Sequence, residues 1–166
     1  MHAVEQSDES TVHRLLDPAM GAYANTANKS GLTALHFAVM RQRHDMIRCL
    51  LHHDVDIQPL DLSKQAPITK AVRAGDMTAV QIIFDRDETT LQVRGGDEWS
   101  LLHYAVTSRK AGREMIHLLL DLAPDLKDAV DQAGKTALHH CVQNEQLEQV
   151  GALLDHQHHP DIDATD

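Results

Sequence analysis

The chain has 166 residues, enough for one compact domain or one short array of repeats, and 42% of them are hydrophobic and able to build a core. Its 25 acidic residues against 15 basic ones give a formal charge of -10, which repels phosphate backbones and anionic lipid; nucleic acid is excluded as the expected partner, and a basic protein surface is favoured. Apolar stretches such as Leu118–Leu120 are far too short to span a bilayer, and the N-terminus has neither a basic segment nor an apolar signal core. A soluble chain without direct membrane insertion is expected.

Along the chain one pattern recurs. Residues 1 to 16 hold a partial version, in which Ala3-Val4, Val12 and Leu15-Leu16 align with Ala38-Val39, Ile47 and Leu50-Leu51 further on. The first complete version opens with Gly31-Leu32-Thr33-Ala34-Leu35-His36-Phe37-Ala38, and its second apolar group is Ile47 with Leu50-Leu51. The opening block returns as Lys64-Gln65-Ala66-Pro67-Ile68-Thr69-Lys70-Ala71, as Glu98-Trp99-Ser100-Leu101-Leu102-His103-Tyr104-Ala105, and as Gly134-Lys135-Thr136-Ala137-Leu138-His139-His140-Cys141. The second group returns as Val80 with Ile83-Phe84, Ile116 with Leu119-Leu120, and Val150 with Leu153-Leu154. The small residue closing each block falls at 38, 71, 105 and 141, so the steps are 33, 34 and 36.

Apolar spacings of three and four residues place each group on one face of a helix. Turn formers such as Ala74-Gly75-Asp76 and Lys110-Ala111-Gly112 separate the two groups, so every unit reads as a pair of short helices. The third unit has two extra residues in this break, 11 from Ala105 to Ile116 against 9 from Ala38 to Ile47.

The pattern resembles the ankyrin repeat, whose period is 33 and whose signature is T-P-L-H-x-A. Thr33–Ala38, Ser100–Ala105 and Thr136–Cys141 each match at most positions, Asp131-Gln132-Ala133-Gly134 matches the hairpin-tip D-x-x-G, and Gly21-Ala22-Tyr23-Ala24-Asn25 resembles the family's connector. The resemblance implies an all-α fold, a solenoid of stacked antiparallel helix pairs joined by hairpin-like loops. One domain over 1–166 is expected, with a partial unit at 1–27 and full units at about 28–60, 61–94, 95–130 and 131–166. The second unit has Ala66 and Thr69 where a hydroxyl and a histidine belong, so it is expected to be the least well tied. The connector-like Pro160–Asp166 suggests a piece of a longer array.

For function the resemblance implies a scaffold or adaptor that binds a partner protein through a concave groove and the hairpin tips, as a monomeric array with no catalytic role and no cofactor. The alternative is a regulatory or targeting segment of a larger enzyme, effector or channel. Carried onto this sequence, the groove positions are Leu32, Met40, Arg41, Gln65, Arg73, Trp99, Thr107, Ser108, Lys135, Gln143 and Asn144. The tips add Lys29, Ser30, Leu62, Ser63, Gly96, Asp97 and Gln132. Trp99 ranks first, because tryptophan is enriched at binding hot spots; the competing reading is a ring that covers the neighbouring tip.

Other chemistry is weakly signalled. The clusters His52-His53-Asp54 and His156-Gln157-His158-His159 lack the four converging ligands of a structural zinc site, so no metal is expected. Cys141 stands beside His139 and His140 but occupies the small core position of Ala38, Ala71 and Ala105. Cys49 and Cys141 read as reduced core thiols of a cytoplasmic or nuclear protein. There is no phosphate-binding loop and no nucleophile elbow.

Overall fold

A hydroxyl residue followed three positions later by histidine starts three of the four inner helices. In the computed structural model, which describes residues 24–53 and 55–155, Thr33, Ser100 and Thr136 are helix N-caps whose side chains accept from the N–H of His36, His103 and His139. Each histidine Nδ1 in turn accepts the N-cap's own N–H, at 3.2, 3.3 and 3.1 Å. Two orphan donors are satisfied at each helix start. The remaining inner helix uses a different start, with Ala66 as cap and Pro67 in the first turn, where a missing N–H costs nothing.

Eight α-helices follow in order among the described residues: α1 Ala34–Met40, α2 His44–Leu51, α3 Pro67–Ala74, α4 Met77–Arg86, α5 Leu101–Thr107, α6 Gly112–Leu122, α7 Ala137–Gln143 and α8 Leu147–Asp155. Helices pair within each unit as α1 with α2, α3 with α4, α5 with α6 and α7 with α8, and the inner helices α1, α3, α5 and α7 pack one on the next. The expected partial unit at the N-terminus lies almost wholly outside the described residues, as do Pro160–Asp166 and His156, His158 and His159.

One hydrophobic core runs through the stack, filled by Leu35, Val39, Ile68, Val72, Leu102 and Val106 from the inner helices and Ile47, Leu50, Val80, Ile83, Ile116 and Leu119 from the outer ones. No single pair could bury this surface alone, so each unit is stabilised mainly by its neighbours. The tips between units repeat as well. Asn28, Asp61 and Asp131 each accept two N–H bonds through one side-chain oxygen, from Ser30 and Leu32, from Ser63 and Gln65, and from Ala133 and Lys135. The turn then needs a left-handed residue, supplied by Gly31, Lys64, Glu98 and Gly134. The third unit has Gly95 where the others have Asn or Asp, and a Cβ there would run into the Tyr104 ring.

The junctions between units are unequal. His36 Nε2 donates to the Gln65 carbonyl at 3.0 Å, and the Leu62 N–H to the Ser30 carbonyl at 3.0 Å, tying the first full unit to the second. His103 Nε2 donates to the Lys135 carbonyl, and the Gln132 N–H to the Asp97 carbonyl, both at 2.9 Å, tying the third to the fourth. Between the second and third units neither bond forms among the described residues. Thr69 is too short to reach, and its buried hydroxyl has no hydrogen-bond partner. The outer helices repeat the contrast: α2 packs on α4 and α6 on α8, whereas α4 and α6 meet only sparsely. Within itself the second unit is braced by Lys70, which pairs with Asp61 at 2.6 Å. Its weakness lies in the bond to its neighbour.

Substitution of both Ala66→Thr and Thr69→His is therefore expected to supply the missing capping box and a donor to the Trp99 carbonyl. Stability should rise by about 1–2 kcal/mol, seen as a higher urea midpoint at unchanged slope. An unchanged or lower midpoint would contradict this reading of the junction.

Candidate partner-binding groove

The C-terminal ends of α1, α3 and α5 lie along one side of the stack, and the loop after α5 closes over them. Helix α3 stops on Gly75 at φ 73°, where a Cβ would strike the Lys110 carbonyl. Ser108 Oγ donates to the Arg73 carbonyl at 2.7 Å and accepts the Lys110 N–H at 3.2 Å. The longer loop of the third unit is thus pinned against the second.

The result is an open hollow of about 460 Å³, lined by Met40, Lys70, Arg73, Ala74, Thr107, Ser108, Arg109 and Lys110. Four cations and no carboxylate line it. Lys70 is neutralised by Asp61, and Arg73 donates to Gln65 Oε1 at 3.1 Å. Arg109 and Lys110 are exposed and form no ion pair among the described residues. A chain of net charge -10 therefore carries a locally positive hollow.

Four of the groove residues expected from the sequence, Met40, Arg73, Thr107 and Ser108, come together here. Lys135 and Gln143 meet elsewhere, with Lys135 Nζ donating to Gln143 Oε1 at 3.0 Å, beside an apolar hollow that also includes Leu138 and Val142. Arg41 and Asn144 are exposed caps at the ends of α1 and α7, and Leu32 is half-buried. Gln65 is buried with its Oε1 accepting from Lys70 and Arg73, so it props up the groove instead of facing a partner. Trp99 is half-buried, its ring 5.3 Å from Tyr104 and 5.0 Å edge-on to His140, an arrangement that covers the neighbouring unit. Lys70, Arg109 and Lys110 were missed. The signal that could have found the last two is the two-residue excess in the third unit's break.

His103, Asp131 and His140 bring their ligand atoms within 4.8 Å of one another, a set split between units and invisible in sequence spacing. Hydrogen bonds occupy these atoms. Both His103 nitrogens are used, and His140 Nε2 bonds Asp131 Oδ2 at 2.8 Å. His52 is exposed and His53 half-buried, at the end of α2. Cys141 is fully buried and its thiol is pushed up to about 11 by burial, the opposite of what a nucleophile needs. Cys49 is also buried.

Burial holds His36 and His103 below the ordinary histidine value, against the raising effect of their bonds to the Gln65 and Lys135 carbonyls. Protonating Nδ1 would also strip the acceptor from the N-cap. Asp131 is lowered to about 2, first by the Lys135 N–H and then by its bond with His140.

A stack of helix pairs that share one hydrophobic core defines a helical repeat array. The chain matches the family of ankyrin repeats (3 copies) over residues 1–92 and again over 85–166, and it belongs to the ankyrin repeat family. It is similar to the B-cell lymphoma 3 protein homolog of Mus musculus, 31% identical over 160 residues that cover 93% of this chain and 35% of that protein. Rabankyrin-5 of Mus musculus is 23% identical over 162 residues, covering 92% of this chain and 14% of its own length. Neurogenic locus notch homolog protein 1 of Xenopus laevis is 31% identical over 130 residues, covering 78% of this chain and 5% of its own. The chain thus spans about a third or less of the length of these relatives. Ankyrin repeats typically serve as protein–protein interaction modules. Among the described residues no helix is long and apolar enough to cross a membrane.

A pH dependence follows from the two buried histidines. Because their folded values lie below 6.5, the unfolded chain takes up these protons first. Stability from these groups is complete above pH 6.5 and is lost as pH falls from there toward the lower folded values. Asp61, Asp87 and Asp131, all held below 3.8, add a second loss only in acid. The urea midpoint should be level from pH 7 to 8 and fall from pH 6.5 to 5. A His103→Ala variant should be weaker at pH 7 by about 1–3 kcal/mol, with a shallower fall below pH 6.5. Equal pH slopes for the two proteins would contradict the assignment.

Proposed function

We propose that this chain is a non-catalytic scaffold that holds a partner protein, acting as a monomeric array in the cytoplasm or nucleus. The groove along the ends of α1, α3 and α5, with the exposed tip residues Lys29, Ser30, Leu62, Ser63, Asp97 and Gln132, forms the contact surface. The observation that carries this reading is the hollow itself. It is open, it takes residues from three units, and it presents Met40 at 50% exposure beside the cationic loop. A polarizable, flexible methionine suits an adaptable contact. Buried Cys49 and Cys141 accord with a reducing compartment.

A second reading is favoured by one observation, the short share of each relative that this chain covers. Under it, the array targets or regulates a larger enzyme, effector or channel whose chemistry lies elsewhere. Both readings use the same surface.

A photo-crosslinking residue at Thr107, in the groove, should capture a discrete partner in cells, and the same group at Gln81, on outer helix α4, should not. Capture from Gln81 alone would move the interface to the other face.

A further inference from the structure

Resting on the groove reading, we infer that the occupant of the hollow beside Arg109 and Lys110 is an acidic segment of the partner protein, carrying glutamate or aspartate side chains and an apolar anchor. The charge of the whole chain argues for the opposite partner, so the local field has to decide. Exposed charges are screened beyond about 8 Å at physiological salt, and a short segment seated in the hollow therefore feels its lining far more than the distant acidic surface.

That lining is Lys70, Arg73, Arg109 and Lys110, without one carboxylate. Among the described residues the only acidic group tied to it is Asp61, which is buried beneath and satisfied by Lys70 and by the Ser63 and Gln65 N–H groups. Arg73 is anchored at one nitrogen by Gln65 Oε1, which leaves a guanidinium held in place with further donors to offer. Such pre-ordering lowers the cost of binding a carboxylate. A last-turn cation also complements its own helix dipole, which accounts for Arg73 but not for Arg109 and Lys110, which lie in the turn after α5.

Met40 and Ala74 supply the apolar floor. A volume of about 460 Å³ seats a few side chains. A long polyanion such as nucleic acid is a poorer occupant, because its remaining charge would run across a surface of net charge -10.

The test uses fluorescence anisotropy of the whole chain with a labelled peptide of about twelve residues, glutamate-rich with a central leucine, against its lysine counterpart and a single-stranded oligonucleotide of equal charge. The glutamate peptide should bind at least about tenfold more tightly than either, and its affinity should fall at least about fivefold from 50 to 300 mM NaCl. Arg109→Glu with Lys110→Glu, both at exposed positions, should weaken it by about tenfold or more with an unchanged helical spectrum, while Arg48→Glu on outer helix α2 leaves it unaltered. Indifference to the double charge reversal, equal binding of the lysine peptide, or tighter binding of the oligonucleotide would each overturn the acidic occupant. Thr107 crosslinking reads the groove separately. A crosslink that survives the double reversal keeps the groove and removes the acidic partner, and absence of any Thr107 crosslink in the unaltered chain removes the groove itself.

Discussion

At two of the junctions the capping histidine of one unit donates to the hairpin-tip carbonyl of the next. His36 and His103 each start their own helix through Nδ1 and reach the next unit through Nε2, so a single ring links local structure to stacking. The two bonds also fix the tautomer, since one nitrogen must accept and the other donate. Register between units follows, because a shift would strand a buried donor at a cost of about 1–3 kcal/mol. At Thr69 the link is broken, and a buried hydroxyl without a partner stands in its place.

This break coincides with the groove. Lys70 and Arg73 come from one side of the junction and Thr107 to Lys110 from the other. Among the few polar bonds across it is the one from Ser108 to the Arg73 carbonyl, made by the enlarged loop. A partner seated there would bridge two units that the protein's own hydrogen bonds leave weakly joined. Binding and internal order would then reinforce one another, since the partner contributes across the junction what Thr69 does not.

The repeat was legible because its apolar spacing is helical and its period is fixed: Leu35, Ile68 and Leu102 are equally buried in successive units. The capping boxes were legible as Thr or Ser followed by His three positions on. The groove was legible only in part. Met40, Arg73, Thr107 and Ser108 followed from the groove positions that the ankyrin resemblance implies, whereas Arg109 and Lys110 depend on where an insertion loop folds, which the repeat pattern does not specify. Position also gives the direction of a side chain without saying what claims it. Gln65 is taken by Lys70 and Arg73, and Trp99 lies against Tyr104 and His140. A net charge summed over 166 residues does not reveal a local cluster of four cations.

The unequal junctions are the centre of this account, and native-state hydrogen exchange reads them directly. If the array is divided at Thr69, amides of α1 to α4 and amides of α5 to α8 should open in two separate steps of different free energy as denaturant is raised. A single cooperative opening, with all eight helices merging onto one isotherm, would contradict it.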